Sequence, residues 1–175
     1  RCCSSAASDV YKRQDYETAA LVAGGHTFGK SHGAASESFK GPDPEASKLQ
    51  DQSTGWNSGY KSGKGVDTIS SGIEGAWTQN PIRWDMGYLD CLYGHEWELT
   101  KSPAGAHQWT PKKNGQEIKM VPDAHKKGVL HPPMMQTTDI SMKVDPSYGP
   151  ITKHFHQNPK EFHDAFARAW FKLTH

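Results

Sequence analysis

Residues 158–173 read NPKEFHDAFARAWFKL, and this stretch decides the predicted fold class. Asn158 and Pro159 are typical of the cap and first position of a helix, and Glu161 completes a capping pattern. The apolar residues that follow recur at helical spacing: Phe162, Ala165, Phe166, Ala169, Trp170 and Leu173. The sequence therefore predicts an amphipathic helix that begins at residue 159 and has one wide apolar stripe.

Weaker patterns of the same kind precede this helix. Asp15 is a suitable cap for a helix over residues 16–30, with one apolar face that includes His26. Three further helical segments are predicted: 67–80 with the stripe Ile69, Ile73 and Trp77, 83–93, and one or two turns at 138–144.

A small β-hairpin is predicted between residues 96 and 109, because Ser102-Pro103-Ala104-Gly105 is a turn signal between two alternating segments. Residues 34–65 and 110–137 show no periodicity and are predicted as long loops. The fold class is therefore mainly α, with long loops and one hairpin.

Composition limits the possible functions. The chain has 175 residues, with 20 Lys and Arg against 19 Asp and Glu, so its net charge is +1. That balance provides no bulk field for nucleic acid or an anionic membrane. Apolar runs are only a few residues long, which excludes a transmembrane helix. Three cysteines do not build a disulfide framework.

The first fourteen residues, RCCSSAASDVYKRQ, differ in character from the rest. They have no structural period, and DVYKRQ resembles the translation of an adapter end used in sequencing libraries. We therefore predict that residues 1–14 are an artefactual or disordered tail and that residues 15–175 are one partial domain, a piece of a longer protein. The alternative is a natural tail. Without this segment Cys91 remains as a lone cysteine, which is typical of a reducing compartment.

A phosphate-binding pattern occurs at residues 24–31, where GGHTFGKS matches G-x-x-x-x-G-K-[ST]. Such a loop needs a buried strand before it and a helix after it. The preceding residues are short and alanine-rich, and the following ones have no amphipathic period. A nucleotide-binding function is therefore kept only as a remote alternative.

His26 is a sharper feature within the same stretch. It lies on the apolar face of the predicted helix and follows Gly24 and Gly25, whose small size would let a flat group approach. An imidazole on an apolar helix face is the usual proximal ligand of haem iron. The alternative is an ordinary core histidine.

The stretch ETAALVAGGHTFGK at residues 17–30 resembles the proximal-haem helix of bacterial and fungal catalase-peroxidases. Further stretches match that family in order: GPDPEAS at 41–47, SSGIE at 70–74, YGHEWELTKSPAGA at 93–106, DPSY at 145–148 and AFARAWFKLTH at 165–175. The resemblance covers residues 15–175. It implies the C-terminal half of the family's N-terminal haem domain, a partial all-α haem-peroxidase fold.

The resemblance also implies roles for individual residues. His26 would bind the iron of haem b, and Asp164 would accept a hydrogen bond from His26. Trp77 would stack beside the imidazole and donate to the same carboxylate. Three residues would lie near the haem propionates: Lys30, His32 and Ser71.

Each of these residues also has a structural alternative. Asp164 lies four residues before Arg168, a spacing typical of a surface ion pair. Trp77 on an apolar stripe is ordinarily a core residue, and Lys30 is ordinarily a cation at a helix C-terminus.

The implied function is that of a haem enzyme of the oxidative stress response. Catalase-peroxidases reduce hydrogen peroxide through ferryl intermediates, using a second peroxide or a small organic donor. The resemblance also implies a homodimeric parent protein, and we expect a cytoplasmic location. The family's distal half, with its acid–base residues, does not match any part of this chain, and His107 replaces a family Trp. We therefore predict that the chain alone is inactive; the alternative is a non-catalytic haem-binding or structural fragment.

Overall fold

The computed structural model describes residues 2–31, 35–52, 54–68, 72–113 and 118–175, with side chains from residue 14 onward. The chain divides into two compact units. The first unit comprises Arg1–Gly29, Trp77–Glu96 and Thr137–His175, and the second comprises Lys30–Ala76 and Trp97–Gln136. His26 and Trp77 therefore belong to the first unit.

The first unit is helical. Its described elements are α1 (Cys2–Gly25), α2 (Gly87–Gly94), α3 (Thr137–Val144), α4 (Tyr148–Gln157) and α5 (Pro159–Thr174). The predicted helix start after Asp15 is wrong, because the backbone of α1 is already helical from Cys2. Helix α4 was not predicted, and the predicted segment 83–93 is helical only from Gly87. The origin of residues 1–14 stays a prediction.

Helix α5 begins where its sequence predicts, with Pro159 in its first turn, although the Asn158 side chain makes no capping hydrogen bond. Phe162, Ala165 and Ala169 are buried along it. The predicted stripe is too wide at its C-terminal end, since Trp170 is 52% exposed and Leu173 is 65% exposed. The last turn of α5 therefore adds little to the core of this unit.

Helix α1 packs against α5. Gly24 makes the close approach possible, because a Cβ at this position would overlap the Phe166 ring. Lys172 donates to Glu17 across the same pair of helices, with 2.6 Å between Nζ and Oε2. Gly24 is thus explained by helix packing, whereas Gly25 is exposed and has open space at its Cβ position.

The second unit contains two small antiparallel sheets. Strands β1 (Trp97–Lys101) and β2 (His107–Pro111) form the predicted hairpin, with Leu99 opposite Trp109. Strands β3 (Val121–Pro122) and β4 (Leu130–His131) form a second sheet inside the segment predicted as loop. The described part of residues 34–65 contains only short 3₁₀ turns and one isolated bridge.

The helix predicted over residues 67–80 is wrong. Gly75 and Ala76 are extended and form isolated antiparallel bridges with Ser31 and Met134. The spacing of Ile73 and Trp77 therefore did not reflect a helix, since a short apolar run does not distinguish a helix from extended chain. Ile69 lies outside the described residues.

The prediction of mainly α structure is confirmed at that coarse level, with two small sheets in addition. Across the described residues, no helix combines the length and apolar character needed to cross a membrane.

Candidate functional site

His26 lies directly after the last residue of α1. Its backbone N–H still donates to Val22 O at 3.0 Å, so the helical hydrogen-bond pattern reaches this residue. Thr27 is fully buried, and its hydroxyl donates to Ala23 O at 3.2 Å. These bonds fix the backbone on both sides of the imidazole, whose side chain is 23% exposed.

The carboxylate beside His26 belongs to Asp139, the third residue of α3. Asp139 Oδ1 lies 2.7 Å from His26 Nδ1, and the Asp139 side chain is fully buried. Its position in the first turn of α3 places the carboxylate in the favourable field of the helix N-terminus. A carboxylate accepts hydrogen bonds, so His26 Nδ1 is the donor here and Nε2 is the ring nitrogen that faces away from Asp139.

Trp77 completes this arrangement from the other side of the imidazole. Its ring stacks on His26 with centroids 3.9 Å apart and planes inclined by 10°. Its indole Nε1–H donates to Asp139 Oδ2 at 2.8 Å. One carboxylate therefore orients both the imidazole and an electron-rich indole in van der Waals contact with it.

Tyr88, on α2, is a further donor to the same carboxylate. Its hydroxyl lies 2.8 Å from Asp139 Oδ1, and its ring meets His26 edge-on with centroids 5.6 Å apart. Burial, followed by the charge of Asp139, raises the pKa of Tyr88 well above its usual range. Tyr88 therefore stays protonated and donates.

The expected contact between Asp164 and His26 is wrong. Asp164 is exposed on α5 and accepts from Lys160 Nζ at 3.1 Å, an i, i+4 ion pair. The physical reason is the helix period: Phe162 and Ala165 point into the core, so residue 164 between them points to solvent. The surface ion pair weighed as the alternative is what occurs, with Lys160 in place of Arg168.

Sequence reasoning missed both Asp139 and Tyr88. Asp139 precedes the buried Met142 by three residues and so shares its helix face, which is an unusual position for a carboxylate. Tyr88 lies beside Leu89 in a short helix whose buried residues are mostly apolar. A polar side chain within an apolar helix face was the available signal in both cases.

The three residues expected near the haem propionates have different outcomes. His32 and Ser71 lie outside the described residues. Lys30 belongs to the second unit, and within the described chain its buried Nζ has no hydrogen-bond partner. Burial lowers the pKa of Lys30, an effect that the nearby charges of Asp123 and Glu74 oppose.

The residues around His26 fit a haem iron held by one protein ligand. In the described part of the chain, Nε2 of His26 makes no hydrogen bond, and the adjacent Gly25 has open space at its Cβ position. No group of three or more His, Cys, Asp or Glu side chains that could hold a metal occurs among the described residues. Haem requires no such group, because the porphyrin would supply the other nitrogen ligands of the iron.

The phosphate-loop context is absent from this region. Helix α1, rather than a strand, leads into GGHTFGKS, and Ser31 forms an extended bridge with Gly75. The described residues after the motif, from 35 to 52, form 3₁₀ turns instead of an α-helix. The backbone cradle that phosphate binding needs is therefore not formed.

Comparison with known proteins gives one consistent result. The catalase-peroxidase of Maridesulfovibrio salexigens is 62% identical over 161 residues, which is 92% of this chain and 22% of that protein. This chain is similar to the catalase-peroxidases. Those of Koribacter versatilis and Desulfitobacterium hafniense are 60% and 58% identical over 162 and 170 residues, which are 21% and 23% of their lengths. No family model matches the chain.

The resemblance to catalase-peroxidases inferred from the sequence is thereby confirmed. The chain spans about a fifth of the length of the curated relatives that it matches. The similarity covers 92% of this chain, so nearly all of its sequence aligns with a catalase-peroxidase.

Proposed function

We propose that this chain is the haem-binding, proximal part of a catalase-peroxidase and that His26 would bind the iron. The observation that carries the proposal is the pairing of His26 Nδ1 with the buried carboxylate of Asp139. This pairing directs the imidazole proton away from Nε2, the atom that would bind iron. Haem b, when bound, would supply the redox-active iron at which peroxide is reduced.

Asp139 and Trp77 would act through His26. A carboxylate that accepts the Nδ1 proton makes the imidazole a stronger electron donor and fixes its orientation. Trp77, stacked at 3.9 Å, is an oxidisable ring in direct contact with that imidazole. In this proposal Asp139 takes the role first assigned to Asp164, and Trp77 keeps its assigned role.

The family resemblance supports the remaining proposals. Hydrogen peroxide would be the oxidant and small organic molecules the electron donors, in a homodimeric cytoplasmic parent protein. Lys30, His32 and Ser71 stay candidates for contacts with the haem carboxylates. The inactivity of the chain by itself stays a prediction.

Haem titration of the purified chain tests the proposal. We expect a saturable Soret band, which His26→Ala abolishes because it removes the iron ligand. His154→Ala is the matched control: His154 is an exposed histidine at the end of α4, paired with Glu161, and its loss should leave the band unchanged. A Soret band that survives His26→Ala, or no band at all, would contradict the proposal. Because the chain by itself is predicted to be inactive, a His26-dependent band without oxidation of a donor agrees with the proposal.

A further inference from the structure

Two donors share one oxygen of the buried carboxylate. Asp139 Oδ1 accepts from His26 Nδ1 at 2.7 Å and from the Tyr88 hydroxyl at 2.8 Å. Oδ2, in contrast, accepts from Trp77 Nε1 at 2.8 Å. The tyrosine hydroxyl thus competes with His26 for the same oxygen, whereas the indole binds the other one.

We propose that Tyr88 is a positioning residue that weakens the pull of Asp139 on the Nδ1 proton of His26. The effect of Tyr88 on a bound iron rests on the proposed role of His26 as the iron ligand. The hydrogen-bond competition itself does not depend on haem, because all three side chains belong to this chain.

The physical reason is charge sharing within the carboxylate. A hydrogen bond to an ionised acceptor is stronger than a neutral one, and it draws electron density from the accepting oxygen. With two donors on Oδ1, each bond is weaker than it would be alone. Asp139 and Tyr88 are fully buried, so water does not replace the tyrosine hydroxyl at low cost.

The surroundings of Tyr88 hold its hydroxyl next to Asp139. Its side chain is fully buried on α2 beside Leu89 and Leu92, which are also buried. Its ring edge packs against His26, so the hydroxyl has little freedom to turn away.

The test compares Tyr88→Phe with Tyr93→Phe in the full chain. Tyr93 is the matched control, because it lies on the same helix but its hydroxyl contacts Thr152 at 2.8 Å instead of Asp139. The readout is the NMR signal of the His26 Nδ1 proton in the haem-free chain. We expect this signal to move to lower field in Tyr88→Phe, since Oδ1 then no longer accepts from the tyrosine hydroxyl, and to stay in place in Tyr93→Phe.

A second substitution reverses the effect and covers the case in which Tyr88→Phe does not fold. Replacing Tyr88 by 3-fluorotyrosine keeps its shape and makes the hydroxyl a stronger donor. The His26 Nδ1 proton should then move to higher field. An unchanged signal in folded Tyr88→Phe or with fluorotyrosine, or equal shifts in Tyr88→Phe and Tyr93→Phe, would overturn the proposal.

The haem-loaded protein provides a separate readout. We expect Tyr88→Phe to raise the iron–histidine stretching frequency and to lower the iron midpoint potential, because the imidazole becomes more electron-rich. If haem does not bind, the proposed function fails, and the NMR result still decides the role of Tyr88. If haem binds through His26 and neither spectrum changes, the role of Tyr88 fails and the proposed function stands.

Discussion

Helices α3 and α5 each carry an aspartate, and the two carboxylates have opposite surroundings. Asp139 on α3 is fully buried and binds His26, Tyr88 and Trp77. Asp164 on α5 is half-exposed and binds only the flexible Lys160 among the described residues. A carboxylate therefore becomes chemically important through the donors that surround it, since both residues are helical and both are hydrogen-bonded.

Of the substitutions at these two aspartates, removal of the buried carboxylate should have the larger effect on stability. Asp139→Ala leaves the Trp77 indole and the Tyr88 hydroxyl as buried donors without an acceptor. Each such loss costs about 1–3 kcal/mol, so we expect a large fall in the free energy of unfolding. Urea unfolding followed by circular dichroism measures it.

The double variant Asp139→Ala with Tyr88→Phe is the control for this mechanism. Tyr88→Phe removes a hydroxyl that Asp139→Ala has left unpaired, so part of the lost stability should return. The opposite result is that the two losses of unfolding free energy simply add, so that the double variant is less stable than Asp139→Ala by the full cost of Tyr88→Phe alone. That result would show that the contribution of the hydroxyl does not depend on Asp139.

The difference between the two helices also explains what sequence reasoning could predict. The start of helix α5 and the buried face of its first three turns were predicted correctly, because Pro159 and the apolar period both indicate this helix. Helix α3 has only eight residues, so its period indicates the buried face weakly. His26 was a candidate from its position on an apolar helix face, and the family resemblance placed Trp77 beside it, as the structure does. The resemblance was also used to assign Asp164, whereas Asp139 was missed.

Periodicity could not predict which residues that lie far apart in the chain are hydrogen-bonded to each other. Asp139 lies 113 residues from His26 in the chain, and Tyr88 lies 51 residues from Asp139. Local patterns contain no information on such pairings, because they depend on how α1, α2 and α3 pack. The same limitation applies to the second small sheet, whose two-residue strands are too short to show alternation.

A pH effect of intermediate size is expected at Cys91, which faces the same buried region. Burial, followed by the charge of Asp139, raises the pKa of the Cys91 thiol from 9.0 to about 12. Between these values the unfolded chain loses the thiol proton and the folded chain keeps it. Stability from this group is therefore complete below pH 9 and is lost as the pH rises towards 12.

Urea unfolding across that alkaline range measures the Cys91 effect. One proton contributes a slope of at most about 1.4 kcal/mol per pH unit. We expect Cys91→Ala to show a shallower alkaline decline than the unmodified chain. The tyrosines titrate in both Cys91→Ala and the unmodified chain, so their contribution cancels in the difference. If the stability of both declines equally with pH, the role of Cys91 is refuted.

The smallest effect is expected at Asp164, and it decides between the two carboxylates most directly. An exposed i, i+4 ion pair contributes about 0.3–0.5 kcal/mol, so Asp164→Ala should barely change the urea midpoint. The Soret band and the His26 Nδ1 proton signal should also be unchanged, because no described contact links Asp164 to the imidazole. Loss of the Soret band in Asp164→Ala, with Asp139→Ala retaining it, would return the proximal role to Asp164 and would mean that α5 approaches His26 in the haem-bound protein.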